Sequence, residues 1–166
     1  SVVRVPSALS SREIEELLSE HSRLQKVCGT LRATGRGNWS TTYLHTDGQF
    51  GAALPWLRQR LFDLAAAADT GQGWDLLASA PCAPQLRCVE LHTVKPGGSL
   101  PEREHYDNGS LITVDIMLSH STKDPAAEGR RDFKGGRFCT LEADGELRKH
   151  PFGRGDATIF VSHKYH

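Results

Sequence analysis

This 166-residue chain is short of charge of one sign, of long apolar runs and of paired cysteines. Lys+Arg and Asp+Glu both total 20, so the formal net charge is zero with histidine neutral. A balanced chain has no bulk electrostatic attraction to DNA, RNA or an anionic membrane surface. No apolar stretch approaches the ~20 residues of a membrane span, and no charged-then-apolar signal segment opens the chain. The cysteines Cys28, Cys82, Cys88 and Cys139 are scattered with no C-x-x-C pair, which excludes a zinc ribbon and a dense disulfide framework. They are expected to be free and mostly buried thiols, and they lean towards a reducing compartment and a cytoplasmic location. The first residue is Ser rather than Met, so the start is read as a processed or trimmed end.

The elements fall in a clear order. Ser10 followed by Glu13 forms a capping box, and Ile14, Leu17, Leu18 and Leu24 supply the apolar stripe of a helix over Ser11–Leu24. Gly35–Asn38 reads as a loop, Trp39–Leu44 as a β-rich run, and Asp47-Gly48 as a turn. Pro55 stands where a second helix would start, with Trp56, Leu57, Leu61, Leu64 and Ala68 at helical spacing and Gly71 and Gly73 at its end. Short strands follow. Leu86–Val94 alternates, Leu111–Leu118 places Ile112, Val114, Ile116 and Leu118 on one face, and Arg137–Leu141 precedes an Asp144-Gly145 turn. Lys123–Arg131 is a charged loop, and Gly153–Asp156 is a tight turn into Ala157–Ser162. Helices first and short strands after predict an α+β, mainly β domain built on a sandwich or barrel. The chain is read as one domain over 1–166, with flanking helices and a strand in 1–80 and the β core in 85–166.

What the chain has in excess is histidine, eight in all and concentrated towards the C-terminal half. His105-Tyr106-Asp107 is the sharpest local pattern, because residues i and i+2 of an extended segment point to the same face. An imidazole and a carboxylate would converge there, leaving a third ligand to be delivered from elsewhere. Two histidines and one carboxylate on one face of an octahedron suit non-haem Fe(II) oxygenases. H-x-D alone is weak: with eight histidines, chance predicts roughly half an occurrence. A second copy, His45-Thr46-Asp47, runs into Asp47-Gly48 and is read as structural. His163 and His166 both follow the last β-rich run, and the alternation does not decide between them. Trp39, Trp56 and Trp74 are read as core or rim aromatics, Arg130-Arg131 with Lys134 as a solvated loop patch, and His120 and His150 as surface loop residues.

Taken together, the blocks Leu91-His92-Thr93-Val94-Lys95-Pro96-Gly97-Gly98, His105-Tyr106-Asp107, Phe133-Lys134-Gly135-Gly136-Arg137-Phe138, Gly155-Asp156-Ala157-Thr158-Ile159-Phe160 and His163-Lys164-Tyr165-His166 resemble the prolyl-4-hydroxylase-like branch of the Fe(II)/2-oxoglutarate-dependent dioxygenases. The resemblance covers about residues 86–166. It implies a double-stranded β-helix (jelly-roll) core with N-terminal flanking helices, and metal ligands His105, Asp107 and His166, the last being the distal histidine. It implies Fe(II), 2-oxoglutarate as cosubstrate, O₂, ascorbate as an optional component, and a small-molecule or peptide substrate, with a peptidyl proline first. Such relatives bind the cosubstrate through an Arg or Lys on a strand past the distal histidine. Since that strand would follow His166, the sequence is read as part of a longer protein. His92 stands near where relatives often keep a cosubstrate-binding Tyr. Rival readings are a non-catalytic jelly-roll binding module and a cupin-like enzyme using another divalent metal.

Overall fold

The computed structural model describes residues 1–27, 33–36, 38–98, 105–120 and 133–166, with the side chains of 25–27 and 33–36 left aside. The predicted loop Lys123–Arg131, with Arg130 and Arg131, and also Cys28 lie outside the described residues. The chain runs β1 (Val2–Val5), α1 (Ser11–Val27), β2 (Ala33–Arg36), β3 (Trp39–Tyr43), a 3-10 turn (Thr46–Gly48), α2 (Gln49–Ala53), α3 (Pro55–Gln72), β4 (Glu90–Val94), β5 (Ile112–Ile116), β6 (Phe138–Leu141), β7 (Leu147–His150) and β8 (Ala157–Val161). No helix is long and apolar enough to cross a membrane among the described residues.

Local sequence marks the start of α1 and both ends of α3. Glu13 reaches back to the Ser10 backbone N–H at 2.7 Å while the Ser10 hydroxyl accepts from Glu13 N–H at 3.3 Å, closing the capping box. Pro55 occupies the first turn of α3, and Gly73 closes it in the left-handed region at φ 62°. Gly71 remains inside that helix instead of ending it.

All strand pairs among the described residues are antiparallel. The described strands form two three-stranded sheets, β1-β8-β5 and β2-β3-β4, and a β6-β7 hairpin. The protein is mainly β with several antiparallel sheets. Gly35 and Arg36, expected in a loop, belong to β2 instead. β1 and β7 have no counterpart in the sequence reading, and His150, expected in a surface loop, ends β7 with its Nε2 2.7 Å from the Thr140 hydroxyl. In the F-x-G-G-x-F block only the final Phe138 is in a strand, because Gly135 and Gly136 take φ of 94° and 56°.

β8 is the central strand of its sheet and is buried on both faces, with Ala157, Thr158, Ile159 and Phe160 all at 0% exposure. Period-two alternation divides this sheet. Ile112, Val114, Ile116 and Ile159 pack towards Leu64 and Ala68 of α3. Thr113, Asp115, Thr158 and Phe160 take the opposite face, where Phe138 of β6 lies 5.5 Å from Phe160, centroid to centroid. A second cluster joins Ile14, Leu17 and Leu24 of α1 to Phe50, Leu54, Leu57 and Leu91. The described thiols are free but not mostly buried: Cys82 is exposed, and Cys88 and Cys139 are half-buried. Burial and the hydrogen bond to Glu90 push the Cys88 thiol up to about 12, so it stays protonated.

Candidate metal centre

Backbone pairing brings the two ends of the H-x-D…H pattern together. His166 N–H donates to His105 C=O at 3.0 Å and His105 N–H donates back to His166 C=O at 3.4 Å. Two residues that exchange both bonds lie directly opposite each other, with side chains on the same side. Their rings accordingly sit 4.3 Å apart, centroid to centroid. Asp107 N–H donates to Ser162 C=O at 2.8 Å, so 105–107 runs extended beside the end of β8 and Asp107 shares the side of His105. The chain turns after β8, where Lys164 N–H donates to Val161 C=O at 2.9 Å, and this turn returns His166 to its place beside His105.

The three side chains converge. One ligand atom each from His105, Asp107 and His166 lies within 4.8 Å of the other two. His105 Nε2 is 4.0 Å from Asp107 Oδ1, and His166 Nε2 is 3.9 Å from Asp107 Oδ2. These separations are too long for hydrogen bonds. Nitrogen and oxygen ligands bind a divalent ion at about 2.0–2.2 Å, so modest side-chain rotation would close them on one ion.

The surrounding groups prepare those atoms for a cation. His166 Nδ1 lies 3.0 Å from the Lys164 carbonyl, which can only accept, so Nδ1 carries the proton and Nε2 presents a lone pair. Asp107 Oδ2 accepts from the Thr113 hydroxyl at 2.6 Å. Thr113 spends its only proton there, so the 2.8 Å contact with Ser162 is a bond that Ser162 donates. The His166 ring packs 4.7 Å from Phe160 and 5.9 Å from Phe138, centroid to centroid, and its side chain is only 9% exposed. Two imidazole nitrogens and one carboxylate are a donor set suited to a transition-metal dication. Asp115, on the Thr113 face of β5, is raised to about 6 by burial, opposed by His166 and reinforced by Asp107 and Glu90.

The other histidines are elsewhere. His163 is exposed and outside the group, so geometry separates the two histidines that alternation left equal. His45 Nδ1 accepts from Val89 N–H at 3.1 Å, and Asp47 sits in the turn at φ 51°, as the structural reading of that copy expects. His92 Nδ1 is 2.9 Å from Thr41 Oγ1, and its ring lies 5.0 Å from Trp39, centroid to centroid. Burial lowers its pKa against the pull of Glu90 and Asp107. His120 Nε2 lies 3.2 Å from Arg154 Nη1. Thr113, Ser162 and Lys164 were missed as site residues. The only advance signal was that Thr113 stands on the polar side of an otherwise apolar strand.

The chain is similar in structure to a prolyl-4-hydroxylase of Pseudomonas putida, with a TM-score of 0.59 and 17% sequence identity over 99% of this chain and 82% of that one. No known family profile matches the sequence, and no curated protein does. At that identity the likeness is one of fold.

Proposed function

We propose that this chain is an Fe(II)- and 2-oxoglutarate-dependent oxygenase that hydroxylates an unactivated C–H bond. The observation that carries this reading is the convergence of His105, Asp107 and His166 into a two-histidine, one-carboxylate face. The fold likeness to a prolyl-4-hydroxylase supports it and makes a peptidyl proline the first substrate to try, with a small molecule next. The jelly-roll reading of the β core goes with the same proposal.

Fe(II) with 2-oxoglutarate and O₂ would supply the oxidising chemistry, with succinate and CO₂ as the cosubstrate's products. The chain's own part is binding and orientation. His105 and His166 would offer imidazole nitrogens and Asp107 a carboxylate oxygen to the ion. The Lys164 carbonyl keeps the proton of His166 on Nδ1, and the Thr113 hydroxyl holds the carboxylate of Asp107. Phe138 and Phe160 cover the His166 ring and keep water from its buried flank.

The test is succinate release from 2-oxoglutarate, with Fe(II) and ascorbate, by the complete protein and by His105→Ala, Asp107→Ala, His166→Ala and His163→Ala. Loss in the first three and retention in the fourth is expected. Output unchanged in both His105→Ala and Asp107→Ala would overturn the proposal.

A further inference from the structure

We propose that the Lys164–Glu142 ion pair is a brace that positions the His166 imidazole on the Asp107 carboxylate, so that Glu142, which is not itself one of the converging ligands, sets the affinity of the centre for metal. This rests on the metal-centre reading above and adds two positioning residues to it.

His166 lies in a segment that has left β8 through a turn, so the residues leading to it are not held by a long ladder. Lys164 supplies the missing anchorage three times. Its N–H donates to Val161 C=O at 2.9 Å, and its carbonyl accepts the His166 Nδ1 proton at 3.0 Å. Its ammonium donates to Glu142 Oε2 at 3.0 Å and to the Leu141 carbonyl at 3.3 Å. The side chains of Lys164 and Glu142 are only 15% and 19% exposed. Leu141 N–H in turn donates to Tyr165 C=O at 3.0 Å, so the end of β6 grips the segment from both residues before His166.

The far end of the brace is fixed as well. The Thr140 hydroxyl, fully buried, donates to Glu142 Oε1 at 2.7 Å and therefore accepts from His150 Nε2 at 2.7 Å. The bonds from Thr140 and then Lys164 hold the Glu142 carboxyl down to about 2, so it stays ionised wherever the centre would bind metal. A continuous run of bonds thus leads from His150 on β7, through Thr140, Glu142 and Lys164, to His166. Partly exposed ion pairs contribute little to folding stability. Outer contacts of a metal ligand, by contrast, typically change metal affinity by about 10–100-fold.

The experiment is a Co(II) titration of the full chain followed by ligand-field absorption, on wild type, Lys164→Met, Lys164→Arg, Glu142→Gln and the Lys164→Met/Glu142→Gln double variant. Thermal melting of the metal-free proteins runs alongside. Lys164→Met and Glu142→Gln are expected to weaken Co(II) binding by about tenfold, the lower end of the outer-contact range, and to alter the absorption envelope. Their melting midpoints should stay close to wild type. Lys164→Arg, which keeps the cation, should restore binding, and the double variant should be no worse than either single one. If Lys164→Met fails to fold, Glu142→Gln carries the test. Single variants that bind Co(II) like wild type with an unchanged envelope, or losses that simply add in the double variant, would overturn the brace. No Co(II) uptake by wild type would instead overturn the metal centre beneath it, a distinct failure.

Discussion

Thr113→Val isolates what a single hydroxyl does for the centre, because the two side chains have nearly the same shape. The change removes the 2.6 Å donor to Asp107 Oδ2 and the acceptor of the 2.8 Å bond from Ser162. Ser162 is at 0% exposure, so its hydroxyl is left buried without that partner. Orphaning such a group costs about 1–3 kcal/mol. The lost bond to an ionised carboxylate would add a similar amount if Asp107 were dry, but its side chain is 32% exposed and water replaces part of it. The expected loss of stability in the metal-free protein is therefore about 1–3 kcal/mol, or several degrees in melting midpoint at this chain length. Metal binding should weaken by about 10–100-fold, since Asp107 loses the contact that holds one of its oxygens. Urea denaturation with and without metal separates the two effects, and Thr113→Ser should restore both. A Thr113→Val protein with wild-type urea midpoint and wild-type metal affinity, or a Thr113→Ser protein as impaired as the valine variant, would refute the reasoning.

Gly155→Ala should destabilise the fold by about 2–4 kcal/mol, because φ is +83° and the new Cβ would collide with the Leu9 carbonyl oxygen. Gly145→Ala, at φ +84° with nothing within 4 Å, should cost only about 1 kcal/mol; equal urea midpoints for the two would contradict the steric argument. At Asp156 burial pushes the carboxyl up, but the bonds from Arg4, Gly153 and Ser7 outweigh it and leave the pKa below the usual carboxylate value. Its stabilisation is then full above about pH 4, the unfolded value, and lost as pH falls through the folded one; an acid-denaturation profile unchanged in Asp156→Asn would refute this. Asp115 shifts the other way, to about 6, with burial as the leading cause. It should make the metal-free protein less stable as pH rises from about 4 to 6, since the unfolded carboxyl ionises first. Asp115→Asn should flatten that interval in a stability-versus-pH series, and an unaltered slope would count against it.

Local chemistry was legible wherever a residue acts on its own neighbourhood. The capping box at Ser10 and Glu13 and Pro55 at the head of α3 depend on contacts within a few residues, and the same-side projection of His105 and Asp107 follows from the two-residue period of an extended segment. β1 and β7 were not legible. Val2–Val5 is too short to show alternation, and Leu147–His150 is mostly exposed and polar; each pairs only because its partner, β8 or β6, is already in place. The thiols show the same limit, since how deeply Cys82, Cys88 and Cys139 sit follows from packing around them and not from residue type.

The amino-acid order by itself determined that a carboxylate and an imidazole would project from one short extended stretch, and that a histidine-bearing segment would follow a buried strand. Only the tertiary structure brought His166, and not His163, beside His105 and Asp107 and placed Thr113, Ser162, Lys164 and Glu142 around them. The physical reason is that these contacts are hydrogen bonds between segments distant along the chain. The turn after β8 and the reciprocal pairing of His105 with His166 select which side chains meet, and neither leaves a periodic mark in the sequence.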